Sequence, residues 1–332
     1  MNESVLSRIA FWLSYAVYLL VIVIVCDVLV FNKLLDFGYP SHYADEVVRQ
    51  PAAYVGFTGK PFARDHNELG FRGSSLEEAA ANDLKVAFFG GSTGYNGDPP
   101  IPTVVEATLE RLLNRDVFVA NYSVVSSNHR QHLHGLLEYF NGTQPDLIIF
   151  YGGFNEMQGA ADYDPRPGYP YNHFYRADTG PFTKVLIEHS AIAAEIDKAF
   201  GILSGIGPLR REEQPLSDNW NSRVANKYFE TLSLANQLTS SYASSRFGRA
   251  KFMAFYQPYI VKPEFRTAHL GVRDRIQAVP YLFDVSSAFD GLGTSVYTDP
   301  VHVEQGAKNV MGEKIGEIVA DSIERAGYEN EQ

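Results

Sequence analysis

Three short stretches of this sequence hold the residue types that nucleophilic catalysis needs. The apolar run LKVAFFG ends in Gly90-Gly91-Ser92-Thr93-Gly94. A serine between a strand and a helix sits beside helix N-terminal amides, which can stabilise developing negative charge. The five residues also fit the G-x-S-x-G elbow pattern. Taken alone, they fit a plain turn and helix cap as well. Near the C-terminus, TDPVHVEQG puts Asp299 three residues before His302. A serine hydroxyl needs a base, and the base needs an orienting carboxylate. At this spacing Asp299 can hold one ring nitrogen of His302 while the other faces the serine. The bland alternative is a capping Asp and a surface His. Third, YGGFNEM places Asn155 just beyond another apolar run. An Asn amide at the carboxyl end of a strand can donate to an oxyanion, or it can cap a helix.

These positions need a frame that brings residues 92, 155 and 299–302 together. Five apolar runs read as buried strands: LKVAFFGG, DVFVANYS, PDLIIFYGG, KFMAFYQPYI and PYLFDVS. Helical periodicity lies between them, over about 102–113, 127–140, 218–246 and 263–278, with a final amphipathic helix over about 303–326. Alternating short strands and helices predict an α/β fold. The architecture expected is flavodoxin-like, a three-layer α/β/α stack around a parallel five-stranded sheet. In such a sheet the strand carboxyl ends form the ligand crevice, where Ser92 and Asn155 would both lie.

Residues 9–31 carry no charge apart from Asp27, are predominantly apolar and are long enough for a helix to cross the hydrocarbon core. A cleaved signal has a shorter apolar region and a small-x-small site, and neither is evident. The expectation is a stub and transmembrane anchor over 1–31, a turn-rich juxtamembrane lead-in over 32–83, and a catalytic domain over 84–327. An irregular Tyr/Pro/Gly-rich insertion at about 160–215 interrupts that domain and reads as a lid or binding loop, with a helix over about 183–200. Val25 before Cys26 argues against lipidation. The net charge of −11 and the lack of a basic run exclude a nucleic-acid partner. A single cysteine allows neither an internal disulfide nor a cysteine-based zinc site.

In combination, the Ser, Asn and Asp-x-x-His stretches resemble the SGNH (GDSL-like) hydrolase family over roughly Asn67 to Ala326. They look like a membrane-anchored subgroup with a GGST nucleophile block preceded by a segment such as NELGFRG. The resemblance implies Ser92 as nucleophile, His302 as base and Asp299 as its orienting partner. It implies an oxyanion hole from the Ser92 amide, the residue 126 amide and Asn155. It also implies a domain outside the cytoplasm. One block departs: NYSVVSSN puts Ser126 where the family has Gly, and serine resists a positive φ. Glu156 stands where the family often has Asp. The α/β-hydrolase fold is the rival for G-x-S-x-G, but it takes its acid and His from separate loops.

The expected activity is hydrolysis of acyl esters, O-acetyl or other short-acyl, on envelope or extracellular glycans. A lipid esterase, an acyltransferase and a non-catalytic SGNH-like module of a polysaccharide assembly system are the alternatives. Neither a cofactor nor a metal is expected. His129, His132 and His134 form a cluster with no carboxylate in it, and they read as a solvated or supporting helix face. Asn121-Tyr122-Ser123 and Asn141-Gly142-Thr143 match glycosylation acceptors by pattern.

Overall fold

A computed structural model of the protein describes residues 3–34, 48–140, 144–159, 190, 192–193, 196, 219–244 and 246–330. The insertion at 160–215, its expected helix and the Asn141 acceptor lie almost wholly outside the described residues. The chain divides into two units, residues 1–47 with 175–213, and residues 48–174 with 214–332.

In the first unit, α1 (Glu3–Val25) continues as a π-helical stretch, Cys26–Leu34. Ser7–Val30 is long and apolar enough to cross a membrane, with a mean hydropathy of 2.6. Phe11, Trp12, Leu13 and the other apolar side chains along it point outward, as suits a lipid solvent. Asp27 is the exception: it is buried, and its Oδ1 accepts the Ile192 amide N–H at 2.7 Å.

The second unit is built on five parallel strands. These are β3 (Leu84–Gly90), β4 (Val117–Asn121), β5 (Leu147–Gly152), β8 (Lys251–Tyr256) and β9 (Leu282–Asp284). Their spatial order is β4-β3-β5-β8-β9. Counted along the sheet this is 2-1-3-4-5, the flavodoxin-like order, with its crevice where the winding reverses between β3 and β5. The strands read as unbroken apolar runs because helices cover both faces. Leu84, Val86 and Phe88 of β3 pack with α3 (Ile101–Leu113) and α7 (Gln305–Asn330). Ala87 and Phe89 face the other way. They pack with α4 (His129–Tyr139), α5 (Trp220–Thr239) and α6 (Arg266–Ile276). On α7, a Cβ at Gly312 would lie 2.5 Å from Val104 Cβ, so glycine there permits α7 and α3 to approach closely.

The segment ahead of β3 is more regular than its turn-rich sequence implies. β1 (Arg49–Ala52) and β2 (Gly56–Gly59) form an antiparallel hairpin. Its strands are four residues long and carry Pro51, Gly56 and Gly59, so neither alternation nor β propensity marks them. Phe57, Phe71 and Leu76 are buried in the same core cluster as Phe89. The predicted helix over 218–246 ends earlier, at Thr239. Ser240 Oγ donates to Asn236 O and Ser241 Oγ to Leu238 O, closing the last turn with side chains. Two short strands, β6 (Ala243–Ser244) and β7 (Gly248–Arg249), follow it.

Candidate active site

Ser92 is the first residue of α2 (Ser92–Tyr95), the single helical turn that follows β3. Gly91 precedes it, and a Cβ there would sit 2.6 Å from Asn155 Nδ2 and 3.2 Å from Ser127 O. Glycine lets the turn bearing Ser92 pass that close to its neighbours. Segment 60–72 braces the turn from the side. His66 Nε2 lies 2.7 Å from Tyr95 Oη, and Arg72 Nη1 donates to Tyr95 O at 3.0 Å and Gly97 O at 2.6 Å. The Arg of the NELGFRG stretch therefore holds the backbone just beyond Ser92.

Asp299 and His302 occupy a closed loop ahead of α7. Thr298 N donates to His302 O at 2.9 Å, and Ile260 N donates to Pro300 O at 2.7 Å. Asp299 Oδ1 accepts the Val301 and His302 amides at 2.8 and 2.7 Å. Its Oδ2 lies 2.5 Å from His302 Nδ1, and His302 Nε2 lies 2.7 Å from Ser92 Oγ. An ionised carboxylate only accepts, so the ring proton sits on Nδ1 and Nε2 is left to accept from the Ser92 hydroxyl. Partial burial by itself would raise the Asp299 carboxyl. The His302 amide, the His302 ring and the Val301 amide outweigh it and hold the carboxyl below its ordinary value. Gln305, opening α7, accepts the Asp98 amide at 3.0 Å and donates to Pro99 O at 2.8 Å, which fixes this loop against the chain leaving α2.

Ser126 lies on the loop between β4 and α4. Val124 N donates to Gly90 O at 3.0 Å, and Ser127 N donates to Val124 O at 3.0 Å. That turn carries Ser126 at its third position with φ 65°, a conformation that favours Gly or Asn. Holding a serine there costs about 1–2 kcal/mol. Asn155 opens a single π-helical turn, Asn155–Gly159, beyond β5. Its Nδ2 donates one proton to Ser127 O at 2.7 Å and keeps a second for another acceptor. The structure thus brings Ser92, Asp299 and His302 into one hydrogen-bonded line. It places Ser127, next to Ser126, within reach of Asn155, and Asn155 beside Gly91.

The histidines of α4 require a correction. His129 and His132 are buried, not solvated; only His134 reaches solvent. They face the sheet because α4 packs that side on Phe89 and Phe150. Burial pushes His129 down to about 3 and His132 well below its ordinary value. A carboxylate does approach them: Glu156 Oε1 lies 3.6 Å from His129 Nδ1. Asn121 and Ser123, of the first glycosylation pattern, are buried as well. Reading the sequence alone missed Arg49, a buried side chain whose Nη1 donates to Val125 O at 3.1 Å and so supports the Ser126 loop from β1. No motif marks it; only the unrecognised hairpin could have.

Glu156 is buried, and its titration is displaced. Burial raises it to about 7, against the amide hydrogen bonds from His129 and Gly153 that favour its charge. The folded chain therefore keeps this proton at a pH where the unfolded chain has lost it. Stability from this group is full below the ordinary carboxyl range and is lost as pH rises through about 7. Urea melts of wild type and Glu156→Gln at about pH 5 and about pH 8 should show the difference in unfolding free energy moving by roughly 2–3 kcal/mol towards the variant. A difference that stays constant would mean Glu156 titrates normally.

No protein-family model matches the chain, and no curated protein does. Solved structures similar to it include a lipase from a goat rumen metagenome, at 14% identity over 70% of this chain and 95% of that one, TM-score 0.41. An acetylxylan esterase from Geobacillus stearothermophilus is 14% identical over 70% of this chain and 92% of its own, TM-score 0.37. A protein described as a GDSL-like lipase from Parabacteroides merdae is 10% identical over 70% and 93%, TM-score 0.39.

Proposed function

We propose that the protein is an SGNH-type serine hydrolase of short-acyl esters, anchored in a membrane by α1. The observation that carries this reading is the continuous line from Asp299 through His302 to Ser92, with contacts of 2.5 and 2.7 Å. In the reaction, the Ser92 hydroxyl proton passes to His302 Nε2 as Oγ attacks the ester carbonyl carbon. The carbonyl oxygen becomes an oxyanion held by the Ser92 and Ser126 amides and the free Asn155 N–H. His302 gives its proton to the leaving alcohol oxygen, and an acyl-serine remains. Water then loses a proton to His302 and attacks the acyl carbon; Ser92 leaves and takes that proton back. Asp299 keeps the ring oriented and balances its charge while it is protonated.

The side chains of His302 and Asp299 are 28% and 45% exposed. That openness favours an acyl group carried on a polymer, such as an O-acetylated glycan, over a deeply inserted lipid chain. A retained anchor, with the catalytic unit outside the cytoplasm, would hold the site near such polymers. The test is fluorophosphonate labelling of the full chain in detergent, with Ser92→Ala beside it. Labelling of wild type alone supports an activated serine. A folded wild type that does not label points instead to a binding module.

A further inference from the structure

The loop bearing Ser126 and the turn bearing Asn155 are joined by a carboxylate that has no role in the chemistry above. Glu156 is buried, and each of its oxygens takes a different amide. Oε1 accepts from His129 N, the first residue of α4, at 2.5 Å, and Oε2 accepts from Gly153 N, just past β5, at 2.9 Å. His129 lies three residues after Ser126, and Glu156 directly follows Asn155. One side chain thus spans the two elements that carry the oxyanion donors.

A second route links the same groups. Ser127 Oγ lies 2.8 Å from His132 Nε2, 2.9 Å from Gly90 O and 2.8 Å from Val124 O. His132 Nδ1 lies 3.1 Å from His129 Nδ1. A hydroxyl has one proton to give. If Ser127 gives it to a carbonyl, His132 Nε2–H donates to Ser127 Oγ, and His129 Nδ1–H donates to His132 Nδ1 with Glu156 beyond. The opposite order would put a proton on His129 Nε2, which is buried without a partner, and a buried unpaired N–H is costly. The Asn155 bond to Ser127 O closes the ring.

We propose that Glu156 is a positioning residue that sets the separation between the Ser126 amide and the Asn155 side chain, with His129, His132 and Ser127 as its relay. This rests on the ester-hydrolase reading above. Oxyanion donors act only within hydrogen-bond distance of the developing charge, and an error of about 1 Å costs about 100-fold. Ser126 sits in a backbone conformation that serine disfavours, so its loop has a relaxed alternative once the ties are cut.

The experiment compares full-length wild type and Glu156→Gln on p-nitrophenyl acetate. Glutamine keeps the size but offers one acceptor oxygen where two amides need acceptors. Expected is a fall in kcat of about 10- to 100-fold, with KM held within about twofold. Inhibition by phenylboronic acid, which forms a tetrahedral adduct on the serine, should weaken by a similar factor. A stabilising role alone would leave kcat of the folded enzyme and boronate affinity unchanged, and that result overturns the proposal. If wild type has no turnover, the ester reading itself fails and takes this one with it. If wild type is active and Glu156→Gln matches it, only this proposal falls. Should Glu156→Gln not fold, Ser127→Ala cuts the last link of the relay. A lower kcat at unchanged KM then supports the proposal, and wild-type kinetics overturn it.

Discussion

Changing Ser92 to Ala should lower ester turnover by at least about 10⁴-fold, and His302→Ala should do the same. The double variant should be no worse than either single one, because the serine and its base act as a unit. Asp299→Asn is the more informative change. In this loop Oδ1 faces two backbone N–H groups and Oδ2 faces the His302 ring. The two amides dictate how an asparagine would sit, with its oxygen towards them and its NH2 towards His302 Nδ1. The ring would then have to accept at Nδ1 and carry its proton on Nε2, the nitrogen that must take the serine proton. The expected loss is about 10⁴-fold in kcat with an unchanged fold. Steady-state kinetics on p-nitrophenyl acetate measure it. A near-normal Asp299→Asn would show that Asp299 shapes the loop and does not set the tautomer.

Asn155→Ala should cost about 10²- to 10³-fold in kcat, with little change in KM. Two losses combine. The second Asn155 N–H, which the proposed mechanism assigns to the oxyanion, disappears, and so does the bond to Ser127 O that steadies the neighbouring loop. The oxyanion exists only during bond making and breaking, so ground-state binding is spared. A rise in KM at constant kcat would instead put Asn155 in substrate binding.

Much of this arrangement could be read before the fold was known, and the reason is physical. The five sheet strands are legible because both faces of the sheet are covered, which forces unbroken runs such as Leu147–Tyr151. Asp299 and His302 are legible because their partnership is local, three residues apart in one loop. What depends on distant packing left no such trace. Arg49 reaches Val125 across 76 positions of sequence and is an ordinary arginine until the hairpin places it. His129 and His132 looked like polar surface residues; the core accepts them because their Nδ1 atoms meet each other and His132 Nε2 meets Ser127 Oγ. Glu156 looked like a small departure from an Asp, since the sequence does not show that one of its oxygens meets the amide that opens α4 while the other meets the amide just past β5. Ser126 was marked only by resemblance, as a serine where a glycine is usual. Its left-handed backbone is a property of the loop.

Ser92 and His302 are 210 residues apart in the chain. A polypeptide leaves the ribosome N-terminus first, so the apolar segment at 7–30 emerges early, Ser92 next and His302 much later. Until residue 302 is available and α7 has docked beside α3, Ser92 of the nascent domain has no His302 beside it. Under the mechanism proposed above, a translation product cut short before Asp299 would be inert, whatever else of it had folded. On that reading, ester turnover waits until residues 92 and 302 stand together in one folded unit.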